Sequence, residues 1–135
     1  VFGTPGVDID WRNQNTFFLK TGEAKTYIGK YRGVNRIPLL KLSEMYLIAA
    51  EASGDKGYLQ TLRDHRGYVN YPLEENCDLA AEIEAEYRKE FMAEGQLFYY
   101  YKRLDYNTLP DMGVVMTGNY VFPMPDDEIE FGDIK

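Results

Sequence analysis

Residues 37–52 limit most strongly what this chain can become. Pro38 suits a first helical turn, where its missing N–H is not needed, and Ile37 before it is biased towards extended backbone. Leu39, Leu42, Tyr46 and Ala49 recur at helical spacing, and Leu40, Leu47, Ile48 and Ala50 widen the apolar surface. Lys41, Glu44 and Glu51 leave only a narrow polar side, so the spacing predicts a helix from Pro38 that is covered on most sides. Gly54 is its expected stop. Asp55 is the expected cap of a second helix to about Arg66, closed by Gly67, with Tyr58, Leu59 and Leu62 turned inward. So short a connection implies an antiparallel pair. The pair is about the size of one tetratricopeptide-like unit, without the full consensus of that repeat.

The remaining segments are arranged around that pair. After a loop at Tyr71 and Pro72, Asp78 is placed to cap a third and longest helix, along which Ile83, Tyr87, Phe91, Phe98 and Tyr101 form one stripe. Gly95 interrupts it and marks a kink, a helix end or a close backbone approach. Ahead of the pair, residues 1–36 are rich in Gly, Asn and Thr, with strand-like runs at 16–20 and 25–31 around a turn at Thr21 and Gly22. Beyond Pro110 and Gly113, residues 120–122 read as extended, followed by Pro123, Met124 and Pro125, and Asp126 or Asp127 is placed to cap a last turn. The expected fold is mostly α: a tetratricopeptide-like antiparallel helix pair plus a long helix, with an irregular N-terminal segment and minor β. Residues 1–135 are read as a single helical domain, with a lead-in over 1–36, a helical core over 37–104, and a loop and closing segment over 105–135.

Composition narrows the function. Hydrophobic residues at 44% favour a packed chain over a disordered one, and a net charge of −7 argues against a nucleic-acid partner. No run approaches the roughly 20 apolar residues of a membrane span. A lone Cys77 allows no internal disulfide, and a single His65 leaves neither a His-rich metal site nor an easy Ser-His-Asp triad. Ser43 and Ser53 lack the glycine flanks of a nucleophile elbow, and phosphate loops and paired-glycine dinucleotide fingerprints are missing. The acidic tail Asp126, Asp127, Glu128, Glu130 and Asp133 fails the ligand spacing of a calcium loop. No metal and no cofactor is therefore expected. Most of the twelve Tyr and seven Phe are expected to be core. Val1 opens no leader-like run, so the chain is expected to be either cytosolic or a mature or excised piece.

Two clusters are candidates for chemistry. Glu86, Glu90 and Glu94 fall at i, i+4 and i+8, which stacks three carboxylates on one helical face. Such a ladder needs either water or cations, and Arg63, Arg66, Arg88, Lys89 and Arg103 are near in sequence. A guanidinium can bridge carboxylates with paired hydrogen bonds, so at least one of Arg63 and Arg66 is expected to dock onto Glu90 or Glu94. A catalytic pair of carboxylates would face each other across a cleft, which adjacent turns of one helix do not provide, so the ladder is read as a structural network and the chain as non-catalytic. The second cluster is Trp11, Asn13, Gln14 and Asn15. An aromatic plate beside amides suits a sugar, the ring stacking on its apolar face and the amides reading its hydroxyls; the plainer reading is a turn with an aromatic anchor.

Three segments, in order, resemble the C-terminal part of the SusD/RagB family. Residues 37–52 are similar to its proline-led helix with a Leu-rich centre and an Ala-Glu-Ala ending. Tyr87, Arg88, Lys89, Glu90 and Phe91, then Glu94, Gly95 and Gln96, running on to Lys102 and Arg103, resemble its Arg-Lys-Glu-Phe, Glu-Gly-Gln and Lys-Arg core. Pro123, Met124 and Pro125 with Glu128 and Ile129 resemble its closing Pro-x-Pro segment. The resemblance spans residues 31–129. Lys41 stands where the family usually has Arg, Leu97 replaces a common Arg, and Tyr100 and Tyr101 replace an Asp-Leu pair. The resemblance implies a lipid-anchored protein on the outer face of an outer membrane, binding oligo- or polysaccharide or other nutrients and covering a SusC-like TonB-dependent transporter. It implies that this chain is a C-terminal fragment whose lipid anchor lies elsewhere, and that it acts as helical scaffold and transporter contact. The alternative is a helical protein-interaction module with no sugar role.

Overall fold

The computed structural model describes residues 10–19, 22, 26–110, 113–116, 120–121 and 124–132, with backbone alone for 14–19, 26, 127, 128 and 131. Val1, Thr21, Pro123 and Asp133, named above, lie outside the described residues, as do positions 20, 25 and 122 of the runs expected to be extended. The fold is mostly α. In chain order the elements are α1 (Trp11–Thr16), β1 (Phe17–Leu19), β2 (Thr26–Ile28), α2 (Leu42–Ser53), α3 (Lys56–Arg63), α4 (Leu79–Glu90), α5 (Gln96–Arg103) and α6 (Asp126–Phe131). Strands β1 and β2 pair antiparallel, Phe18 opposite Tyr27. Contacts divide the chain into two compact units, Val1–Gly95 and Gln96–Lys135, with the boundary inside the helical core expected over 37–104.

Local chemistry explains the helix ends. Gly54 closes α2 in left-handed backbone (φ 70°), and its N–H donates to the Ala50 carbonyl. Asp55 caps α3 by accepting from the Gly57 N–H at 2.8 Å, and Asp78 caps α4 by accepting from Ala80 and Ala81. The connection between α2 and α3 is short enough to fold α3 back against α2, and α4 packs on α2 as well. Past Arg63 the helix widens into a single π-type turn, Asp64–Tyr68, in which Gly67 takes φ 108°. The core of this unit is Leu47 and Ala50 from α2, Leu59 and Leu62 from α3, Ile83 and Tyr87 from α4, then Tyr68 and Phe91.

Two expectations need correcting. Helix α2 starts at Leu42, four residues after Pro38, because Lys41 is extended (φ −121°, ψ 139°) with its ammonium on Glu94. Nor is α2 covered on most sides: it buries Ser43, Leu47 and Ala50, while Leu42 is 72% exposed and Met45 and Ile48 are exposed too, as are Leu39 and Leu40 ahead of it. A helix apolar almost all round offers packing no preferred face, so its neighbours choose one.

The expected longest helix is two helices. Helix α4 ends at Glu90, and residues 91–95 form an irregular turn in which Ala93 (φ 61°) and Gly95 (φ 85°) are left-handed. Two such residues within three cannot be helical, so the stripe breaks after Phe91. In the second unit Tyr100, Tyr101 and Met116 are buried. There Tyr120 donates its hydroxyl to the Tyr106 carbonyl, and a β-bridge pairs Thr108 with Val115.

The break depends on Gly95. A Cβ there meets nothing within 4 Å, so the cost of Gly95→Ala is conformational: about 1–2 kcal/mol, read as a lower urea midpoint at unchanged slope. An unchanged midpoint would mean that the turn relaxes to accept a side chain.

Candidate functional site

The carboxylate ladder is the most highly charged buried feature among the described residues. Glu86 is 0% exposed and Glu90 is buried with it. A lone carboxylate there would be prohibitively costly, so the question is what compensates it. The principal partner is Arg12, itself only 8% exposed and carried into the cluster by α1. Its Nη2 lies 2.7 Å from Glu86 Oε2 and 2.7 Å from Asp10 Oδ2, and its Nη1 lies 3.2 Å from Glu90 Oε2. Asp10 Oδ1 accepts from the Arg12 backbone N–H and from Nε, each at 2.9 Å. Asp10 thus caps α1 and orients the guanidinium with the same carboxylate.

Other cations complete the cluster. Arg66, on the widened turn after α3, holds Glu90 with two bonds, Nη2 to Oε1 at 2.9 Å and Nε to Oε2 at 3.0 Å. Lys89 reaches Glu86 Oε1 at 2.9 Å. The Tyr68 hydroxyl donates to Asp10 at 3.3 Å, and its ring lies under Lys89 and Arg63, 5.3 and 4.7 Å from the centroid. Beyond the helix break, Glu94 accepts from both Lys30 and Lys41. Burial alone would raise the Glu90 carboxyl, but Arg66 and then Arg12 hold it below its ordinary range. Asp10 shows the same contest between burial and Arg12, and Glu94 between burial and its two lysines, each ending low. Burial works against the Arg12 charge too, and the surrounding carboxylates hold it protonated.

The residues singled out from sequence separate into different places. Glu86, Glu90 and Arg66 lie in the cluster, and Glu94 joins it through lysines. Arg63 pairs instead with Glu82 at 2.7 Å, one helical turn before Glu86. Arg103 belongs to the second unit, with its guanidinium 5.6 Å from the Tyr100 ring centroid. Trp11, Asn13, Gln14 and Asn15 are a helix, not a turn. Trp11 is 57% exposed, the Asn13 N–H donates to the Asp10 carbonyl at 3.0 Å, and the side chains of Gln14 and Asn15 lie outside the described residues. Arg12 sits between these named residues and is the one buried among carboxylates. Its only local signal is Asp10 two positions earlier, at the start of a short helix. Among the described residues no group of His, Cys, Asp and Glu could hold a metal ion, and no helix is long and apolar enough to cross a membrane. Compared with models of known families, with curated proteins and with solved structures, the chain matches none.

Removing Arg12 leaves buried Glu86 with Lys89 as its one ion-pair partner among the described residues. Arg12→Met is expected to cost about 3–5 kcal/mol in urea unfolding. Arg63→Met, whose partner Glu82 has a 36% exposed side chain and whose guanidinium otherwise rests on the Tyr68 ring, is expected to cost less, about 1–2 kcal/mol. Equal costs would remove Arg12 from its central place.

The pH dependence follows from the depressed carboxyls. Their ordinary values are 3.8 for Asp10 and 4.5 for Glu90 and Glu94, and each lies lower in the fold. Such a group contributes stability that is complete above its unfolded value and is lost as pH falls through its folded value. Unfolding free energy is therefore expected to hold from about pH 7 to about pH 5 and to fall below about pH 4.5. Glu94→Gln should make that fall shallower; an unchanged slope in urea titrations at stepped pH would assign the acid sensitivity elsewhere.

Proposed function

We propose that this chain is a non-catalytic component of a SusC/SusD-type nutrient-uptake system at the outer-membrane surface, taking oligo- or polysaccharide or a related nutrient. Its helices act as scaffold and as contact for a TonB-dependent transporter, and the lipid anchor lies outside this chain. The observation that carries the reading is an ion pair between two of the resembling segments. Lys41, in the proline-led segment, meets Glu94 of the Glu-Gly-Gln segment at 2.5 Å. A cation at that position has a structural reason to accompany the Glu, which favours the family's charge pattern over a chance likeness. The ladder also spends its carboxylates on buried cations, which suits a scaffold better than an acid–base pair facing substrate.

The alternative, a helical interaction module with no sugar role, is favoured by one observation: the second apolar face of α2, with Leu42, Met45 and Ile48 exposed. The two readings separate in one experiment. The tagged chain, within its complete reading frame, is expressed with the transporter gene nearest to it and purified from detergent-extracted outer membranes. Co-elution of a TonB-dependent transporter, with oligosaccharide binding by calorimetry, is the expected result. Recovery from the soluble fraction, bound to another protein and inert to sugars, would sink the uptake reading in favour of the module.

A further inference from the structure

Residues 69–78, between the widened turn after α3 and the start of α4, lie outside helix and strand and are nevertheless pinned along their length. The Tyr71 N–H donates to the Tyr68 carbonyl at 2.8 Å, the Leu73 N–H to Gln60 Oε1 at 2.8 Å and the Cys77 N–H to the Glu74 carbonyl at 3.3 Å. Gln60 is itself fixed by Asp64 at 2.6 Å, and the Lys56 ammonium reaches the Glu74 and Glu75 carbonyls at 3.4 and 3.2 Å. Asp78 ends the loop by capping α4. A loop tied to α3 in this way presents its side chains already arranged, so little ordering is left for a ligand to impose.

An open cavity of about 930 Å³ lies between this loop and α4. Both cations in its lining are engaged: Arg63 with Glu82 at 2.7 Å and Lys89 with Glu86 at 2.9 Å, each also on the Tyr68 ring. Asp78 accepts from the Ala80 and Ala81 N–H groups at 3.1 and 3.2 Å. By contrast, the exposed side chains of Asn70, Tyr71, Glu74 and Asn76 line the cavity with no partner among the described residues. An anion would meet the carboxylates of Glu74, Asp78 and Glu82 and find neither cation at liberty. A cation would find Glu74 alone without a partner, exposed to water that weakens its pull. An apolar molecule would strip water from two amides and return no hydrogen bond. An uncharged ligand dense in hydroxyls fits all four groups. The amides donate and accept, the Glu74 carboxylate accepts from hydroxyls, and the Tyr71 ring, 46% exposed, offers a flat apolar face.

We propose that this cleft is a subsite for an uncharged oligosaccharide, a sugar ring lying on Tyr71 with its hydroxyls on Asn70, Asn76 and Glu74. The subsite rests on the nutrient-uptake reading for the source of its sugar and goes beyond it by placing a contact for that sugar on this chain.

Titration of the isotope-labelled chain with cellotriose, maltotriose, mannotriose and trigalacturonate tests it by NMR. At least one neutral trisaccharide is expected to give saturable shifts at residues 70–78 and 81–82, and the acidic one to bind at least about tenfold more weakly. Tyr71→Ala should weaken the neutral sugar about five- to tenfold and Tyr71→Phe should retain it, because the ring face is what the sugar uses. Asn70→Ala and Asn76→Ala should each weaken it about fivefold, the loss of one hydrogen bond. These side chains are exposed and have no described partner, so an unchanged urea midpoint is expected for every variant. No saturable shift with any of the sugars, equal binding of the acidic trisaccharide, or binding indifferent to Tyr71→Ala would each overturn the subsite. So would shifts at the same residues from a neutral peptide such as Gly-Ser-Gly-Ser with none from sugars, which would assign the cleft to main-chain recognition. Sugar binding here without a transporter co-eluting would sink the uptake reading and keep the subsite; co-elution with no shift here would do the reverse.

Discussion

The first unit depends on one guanidinium. Glu86 is sealed from water, and a sealed carboxylate is tolerable only where a cation is sealed with it. Arg12 meets that demand from 74 residues away, and with the same group it touches Glu90 and Asp10. The planar fork matters: it donates in several directions in one plane, which a lysine ammonium on a flexible stem does less well. Because leaving Glu86 without Arg12 is so unfavourable, α1 is held against the helices that carry the ladder. An ion network of this kind is costly to assemble and still more costly to break. It specifies which segments meet more than it adds to net stability.

The helix break after Glu90 changes what the ladder can be. In a continuous helix Glu94 would stack above Glu90 as Glu90 stacks above Glu86, with like charges one turn apart. Left-handed backbone at Ala93 and Gly95 takes the chain off that axis. Glu94 then faces the two lysines from the turn after β2 and from the start of α2. The price is a left-handed alanine, a conformation that costs an L-residue about 1–2 kcal/mol. Lys41 is bound by the same arrangement: its extended backbone delays α2 to Leu42 and turns Leu39 and Leu40 outward.

What could be read from the chain in advance was whatever depends on neighbours in sequence. Gly54, Asp55 and Asp78 end or begin helices through groups one to four residues away, and each does so here. The Arg66–Glu90 pair links two helices joined by one loop, so the candidates were few. Arg12 was not legible in this way. Nothing periodic ties it to Glu86, and the Trp and amides around it carry the more recognisable chemistry. Arg63 was legible as a clamp residue but not in its partner, since Glu82 and Glu86 lie one turn apart on the same helix and only packing decides between them.

The sequence by itself determined the helical character of the chain, the turns that divide it and the need of three stacked glutamates for water or cations, because propensity, capping and charge repulsion act over a few residues. Tertiary structure alone decided that Arg12 answers Glu86, that α2 buries Ser43, Leu47 and Ala50 while Leu42 stays outside, and that Glu94 leaves the ladder for two lysines. Those outcomes depend on which surfaces exclude water together. Desolvation is a property of the assembled fold and is carried by no segment of it.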